Sequence, residues 1–219
     1  MIEFKKICYK TPGGKKIFDD FSLKIPDGKF VVITGPNGGG KSTLAKILMG
    51  LNKPNSGEII WDGRNITTES VTDRAKAGMA FSFQQPVKIK GITVKDLLEI
   101  SGGDESYLKA VGLEPAEYLN REISGALSGG EIKRIEIASV LARKAKFTIF
   151  DEPEAGIDLW SFNDLTSVFK KIRKDNPENT LIIISHQERI IKLADEVIIL
   201  ENGKVKKTGT PSEVMGDIL

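Results

Sequence analysis

Two tryptophans, one histidine and one cysteine are all that 219 residues hold of those types, and each scarcity closes off a chemistry. A single thiol, Cys8, can form no internal disulfide, and it cannot supply the set of about four ligands that a thiolate cluster takes. Cys8 is therefore expected to be a buried strand residue in a reduced compartment. Charge of one sign is lacking as well. With 32 Lys and Arg against 30 Asp and Glu, the net charge is +2, too mild to imply a nucleic-acid partner. The short basic runs Lys170-Lys171, Arg173-Lys174 and Lys204–Lys207 read as solvated helix ends and turns. No apolar run approaches the roughly 18 to 20 residues of a membrane span, and Met1-Ile2-Glu3-Phe4 carries no signal-peptide core. A cytoplasmic α/β protein that does not itself insert into a membrane is expected.

Glycine is not scarce, and four glycines fall in one stretch, Thr34-Gly35-Pro36-Asn37-Gly38-Gly39-Gly40-Lys41-Ser42-Thr43. The stretch fits the phosphate-binding loop G-x-x-x-x-G-K-[ST]. Phe30-Val31-Val32-Ile33 before it reads as a buried strand, and Leu44, Ile47 and Leu48 after it share one face of a helix. Bare amides and a helix N-terminus suit a phosphate chain. Lys41 is expected to reach the β- and γ-phosphates of ATP, and the Ser42 hydroxyl to ligate Mg²⁺. The alternative is a glycine-rich turn with an incidental lysine, which the strand, loop and helix context opposes.

The rest of the chain is legible around that loop. Residues 2–8 alternate, Pro12-Gly13-Gly14 turns, and Ile17 to Ile25 alternates again, an antiparallel pair leading into the nucleotide strand. Tyr9 ends the first strand, where it could stack on a base or be an ordinary half-buried residue. Glu58–Ile66 reads as strand, Asp-Gly turn, strand. Met79–Phe83 is another strand, and Gln84 follows it at the edge where α/β sheets bind ligands. From Ile92 to Gly125 short amphipathic pieces separated by Gly102-Gly103 and Gly112 suggest an inserted helical subdomain. It ends in Leu127-Ser128-Gly129-Gly130-Glu131 and a helical spacing of Ile132, Ile135, Ala138 and Leu141. Ser128 and Glu131 fit a capping box. Two glycines at a helix start are poor helix formers and make more sense if an anion approaches their N–H groups.

Phe147–Phe150 is a strand ending in two carboxylates, Asp151 and Glu152. Beside a phosphate loop, Asp151 suits Mg²⁺ and Glu152 suits polarising the attacking water. Leu181–Ser185 delivers the one histidine, His186, to the same ligand-binding end. Asp195–Val205 closes with a strand and an Asn-Gly hairpin.

Together these motifs resemble an ABC-type ATPase domain over the whole chain. The resemblance implies a single domain, residues 1–219, with an α/β phosphate-loop core in 1–84 and 126–219, a mixed sheet and antiparallel β subdomain, and a helical insertion in 85–125. It assigns Tyr9 to adenine stacking, and gives Gln84 the part of sensing Mg²⁺ and coupling to the helical subdomain. Ala155-Gly156-Ile157-Asp158 matches the D-loop, with Asp158 its aspartate. In such proteins two copies pair head to tail, so Leu127, Ser128, Gly129, Gly130 and Glu131 would act in trans on the partner's γ-phosphate. Gln84–Gly91, Ser128–Arg134 and His186–Ile190 are similar to the SufC-type ATPases of iron–sulfur cluster assembly. Pro153-Glu154-Ala155 departs from that group's Ser-Asp-Ser, and the helical insertion is short, as in a compact, minimal-system relative. The main expectation is thus an ATPase driving a soluble SufB/SufD-like scaffold. The motor subunit of a membrane transporter is the alternative. A phosphate-loop kinase is disfavoured, because it has no use for Leu127–Glu131.

Overall fold

The computed structural model describes residues 1–85, 89–124, 126–156 and 159–217, and only the backbone of 159–164. The chain lays down β1 (Ile2–Lys10), β2 (Lys16–Ile25), β3 (Phe30–Thr34), α1 (Lys41–Leu48), β4 (Ser56–Trp61), β5 (Arg64–Asn65), α2 (Val71–Lys76) and β6 (Met79–Ser82). Three short helices follow, α3 (Val94–Ile100), α4 (Ser106–Ala110) and α5 (Pro115–Tyr118). Then come α6 (Gly129–Ala142), β7 (Phe147–Asp151), α7 (Leu159–Asp175), β8 (Thr180–Ile184), α8 (Glu188–Ile191), β9 (Glu196–Glu201), β10 (Lys204–Gly209) and α9 (Pro211–Val214).

Two sheets result. The larger has the order β10-β9-β3-β8-β7-β6, parallel throughout except for the antiparallel edge strand β10. Its inner strands are buried on both faces, and β3 and β8 are buried at every residue. That burial is why Phe-Val-Val-Ile and Leu-Ile-Ile-Ile run continuously apolar rather than alternating. The smaller sheet, β2-β1-β4-β5, is antiparallel and alternates. The expected β1–β2 pair forms and joins β4 in a sheet of its own, the expected antiparallel β subdomain. The physical reason is the apolar face of α1: Leu44, Ala45, Ile47 and Leu48 fill the space between the two sheets with Phe4, Phe18, Ile59 and Ile149. Each such side chain contributes about 1.5–3 kcal/mol on burial.

A second core covers the other face of the large sheet, where Leu98, Leu108, Ile132, Ile135, Phe150, Phe169 and Ile183 pack together. α3 to α5 join this core between β6 and α6. α3 starts on a Thr93–Asp96 capping box, and the entry and exit of the three-helix segment are tied where Val94 N–H donates to Arg121 C=O at 2.9 Å. Cys8 differs from expectation. It is half-buried, and its Sγ accepts from Asp20 N–H at 3.4 Å.

Candidate functional site

Because β3, β8, β7 and β6 are parallel neighbours, whatever follows each strand arrives at one end of the sheet. Behind β3 comes the glycine loop, behind β8 Ser185 and His186, at the end of β7 Asp151 and Glu152, and behind β6 Gln84. The sequence-separated candidates are thus gathered by sheet topology alone.

The loop owes part of its composition to its backing. A Cβ on Gly35 would stand 2.2 Å from Leu200 C=O, and one on Gly39 2.7 Å from the same oxygen, so the end of β9 leaves no room for a side chain at either position. The front is different, since at Gly38 a Cβ would meet nothing within 4 Å. α1 then begins at Lys41 with Gly40 as N-cap and no side-chain cap. Its first N–H groups have no intrahelical acceptor, which makes an anion cradle. Lys41 is buried, and its Nζ donates to Gly35 C=O at 2.7 Å and to Pro36 C=O at 3.0 Å. Burial lowers its pKa, against the opposing pull of Glu152 and Asp151.

Ser42 Oγ donates to Asp151 Oδ1 at 2.9 Å. Burial raises the Asp151 pKa, the Ser42 hydrogen bond opposes that, and neighbouring Glu152 adds to it. Glu152 is a non-glycine residue at φ 46°, a left-handed conformation held where its N–H donates to Ile184 C=O at 3.0 Å. That bend turns its carboxylate out of the sheet toward two predicted partners. Gln84 Nε2 donates to Glu152 Oε2 at 2.6 Å, and His186 Nε2 lies 3.9 Å from Glu152 Oε1. Desolvation lowers the His186 pKa, Lys41 lowers it further, and Glu152 pulls the other way. The imidazole is therefore neutral at pH 7.

Lys41, Ser42, Gln84, Asp151, Glu152 and His186 thus form one constellation. Tyr9 does not join it. The ring is 8% exposed and sits in the core opposite Phe18. The stretch Leu127–Glu131 also stands apart: among the described residues no hydrogen bond links it to the glycine loop. Ser128 and Glu131 make the expected capping box. Tyr118 donates to Glu131 Oε1 at 2.6 Å, and with Ser128 it holds that carboxyl at about 2. Asp158 and residues 86–88 lie outside the described residues. A cavity of about 730 Å³ lined by Tyr107, Val140, Phe150 and Leu181 lies elsewhere and contains none of these groups.

Three ionisable residues here had no role expected from the sequence. Glu154 accepts from Ser185 Oγ at 2.5 Å while Ser185 Oγ accepts from Gln187 N–H at 3.0 Å, a tie between the turns after β7 and β8. Lys133 and Glu136 of α6 both hold Phe83, the residue before Gln84. Lys133 lies in a charged run, Lys133-Arg134 between Ile132 and Ile135 with Glu136 after it, and nothing in that run tells which of the charges is buried.

The sequence pattern of the ABC transporter family matches residues 18–155. The chain belongs to the ABC transporter family. An ABC transporter ATP-binding protein of Methanocaldococcus jannaschii is 38% identical over 218 residues, 92% of this chain and 86% of that protein. The energy-coupling factor transporter ATP-binding protein EcfA2 of Clostridium acetobutylicum is 34% identical, over 95% of this chain and 77% of its own length. A dimeric ATP-binding cassette solved in a post-hydrolysis state, bound to ADP and Pi, superposes with a TM-score of 0.83 at 25% identity, over 96% of this chain and 99% of that one. This ABC-family chain is an ATPase, and its substrate is ATP with Mg²⁺. The residues fit that pair: an uncapped helix start and buried ammonium for phosphates, and a hydroxyl–carboxylate pair of hard oxygen donors for Mg²⁺.

The iron–sulfur expectation is overturned. The relatives are named as transporter ATP-binding proteins, and the SufC-type likeness with its SufB/SufD-like scaffold finds no support among them. The loop wording misled for a physical reason. Ser128, Glu131 and Lys133 are engaged in capping and buried ties within the chain, so their identity reports on the fold and not on a partner. Among the described residues no helix is long and apolar enough to cross a membrane.

Proposed function

We propose that this chain is the nucleotide-binding motor subunit of an ABC membrane transporter, in which two copies close head to tail over two Mg²⁺·ATP. The observation that carries the pairing is the start of α6. Gly129 sits at its first position, where an added Cβ would meet nothing within 4 Å. Packing among the described residues gives no reason for a glycine there, whereas the approach of a partner's γ-phosphate to bare amides does. The names of the M. jannaschii and C. acetobutylicum relatives support the transporter assignment.

In this reading 1–84 and 126–219 form the catalytic core and 85–125 the helical insertion that passes motion to a membrane subunit. The amides of Gly38–Thr43 and the Lys41 ammonium bind the phosphates. Ser42, Asp151 and Gln84 would hold Mg²⁺, which when bound neutralises charge on the phosphate oxygens. Glu152 orients and polarises the attacking water, and neutral His186 hydrogen-bonds toward the γ-phosphate. Ser128 Oγ accepts from Glu131 N–H at 3.3 Å and also bonds the Glu131 carboxyl, so its proton turns from that carboxyl to donate to the partner's nucleotide. Tyr9, 8% exposed, is assigned to adenine, and Asp158 to the pair's interface.

Replacing Glu152 by Gln is expected to preserve ATP binding and to accumulate an ATP-bound dimer, seen by light scattering, with turnover lowered by about 10² or more. A variant that stays monomeric in saturating ATP and hydrolyses at the wild-type rate would refute the assignment. Purification from native membranes should bring down integral-membrane peptides; recovery with soluble proteins only would refute the transporter role.

A further inference from the structure

Within one copy, a run of direct contacts joins the catalytic carboxylate to the turn that serves the partner's site. Gln84 Nε2 holds Glu152 Oε2 at 2.6 Å. The preceding residue, Phe83, is gripped by both of its backbone groups from a single turn of α6. Its N–H donates to Glu136 Oε1 at 2.7 Å, and its C=O accepts from Lys133 Nζ. Lys133 is fully buried, and Nζ also reaches Ser82 Oγ at 3.3 Å and Glu136 Oε2 at 3.4 Å. The Phe83 ring packs edge-on against Phe81, with centroids 4.7 Å apart. Lys133 and Glu136 are three residues apart and so share a helix face. Lys133 lies one turn after Gly130, in the helix that Ser128 caps.

A buried ion pair is a poor device for stability alone, since apolar side chains of similar volume do as well or better. What it adds here is register: one cation and one anion, fixed on a rigid helix, accept one peptide N–H and donate to one peptide C=O. A shift of the Gln84 loop then either breaks both bonds or carries the start of α6 with it. We infer that Lys133 and Glu136 are positioning residues that couple the Gln84 loop to the N-terminal turn of α6, so that nucleotide bound beside Lys41 is felt at Ser128 of the same chain. The inference rests on the proposed pairing, because Ser128 has a ligand only in the partner.

The test uses the full chain, Mg²⁺ and a non-hydrolysable ATP analogue, read by amide hydrogen exchange and by light scattering. In the wild type, analogue binding changes exchange both at 35–43 and at 128–132. In K133M/E136L the response at 35–43 and the analogue affinity are retained, the response at 128–132 is lost, and association is weakened by about tenfold or more. E136Q keeps an oxygen for Phe83 N–H and retains the full response. Should the double variant not fold, E136L alone is read in the same way. A wild-type response at 128–132 in the variants overturns the inference, and so does an equal loss at both segments, which marks a merely structural pair. If the wild-type chain shows no association with analogue, the pairing is refuted, and the exchange response at 128–132 still decides the coupling on its own.

Discussion

Glu154 stands two residues beyond Glu152, the carboxylate proposed to polarise water, and its surroundings make it a sensor of burial cost. One oxygen accepts from Ser185 Oγ, while among the described residues Oε2 is buried with no partner at good hydrogen-bond geometry. Desolvation raises its pKa above the ordinary 4.5, and the Ser185 hydrogen bond opposes this only in part. Between that ordinary value and the raised one, the native state binds more protons than the unfolded state, so this group's contribution to stability falls as pH rises through the window. A glutamine amide in its place would not titrate. The melting temperature of Glu154→Gln relative to wild type is therefore expected to rise as pH increases above the ordinary carboxylate range, and an offset independent of pH would contradict the burial assignment. Glu152 shows a second residue-scale cost. A left-handed backbone at a side chain with Cβ stores about 1–3 kcal/mol, held here by the sheet bond to Ile184, and it aims the carboxylate at Gln84 and His186.

At the scale of elements, the helix that carries the phosphate cradle is fixed at its other end by a residue from α2. Arg74 is buried, and its guanidinium meets four carbonyl oxygens: Ile47 and Leu48 at 2.8 and 2.5 Å, and Ile66 and Thr67 at 2.6 and 3.1 Å. Two of these end α1, where the helix dipole is negative and a cation is favoured. Arg74→Ala takes a donor from four carbonyls, of which only Ile47 and Ile66 keep a backbone N–H, from Gly50 and Glu69, and it opens a cavity. It is expected to destabilise the fold by about 3 kcal/mol or more, read as a lower denaturation midpoint with an unchanged slope. A loss below about 0.5 kcal/mol would show that water replaces the guanidinium without cost. The sequence carried a signal for α2 in the spacing of Ser70 and Asp73, the capping box that starts it. Nothing in the sequence told that Arg74 reaches back 27 residues to α1.

For the whole molecule, the decisive surface is the start of α6. Gly129 has no positive φ, and a methyl there would meet nothing within 4 Å among the described residues. Gly129→Ala is therefore expected to leave the monomer as stable as wild type, or up to about 1 kcal/mol more stable through helix propensity. ATP-driven association and turnover should nevertheless fall by about tenfold or more. A variant that associates and hydrolyses normally would show that no anion approaches these amides. Stability and function are thus expected to move in opposite directions at one residue, which a packing role cannot produce.

The order of residues along the chain was enough to set the ABC-family fold and the local shape of the site. Those depend on neighbours in sequence: continuous apolar runs for the buried parallel strands, a glycine loop between strand and helix, carboxylates and a histidine just past strand ends. The β1–β2 pair and the Asn-Gly hairpin were legible for the same reason. Folding alone settled which polar residues are buried and with whom, because those partners lie far off in sequence. It took Tyr9 into the core, set Glu154 on Ser185, and closed Lys133 and Glu136 on Phe83. It also showed that Leu200 leaves no room for a side chain at Gly35 or Gly39. Loop wording pointed to the wrong partner because short loops record the contacts they make within the fold, and a docking surface is assembled from segments that only folding brings together.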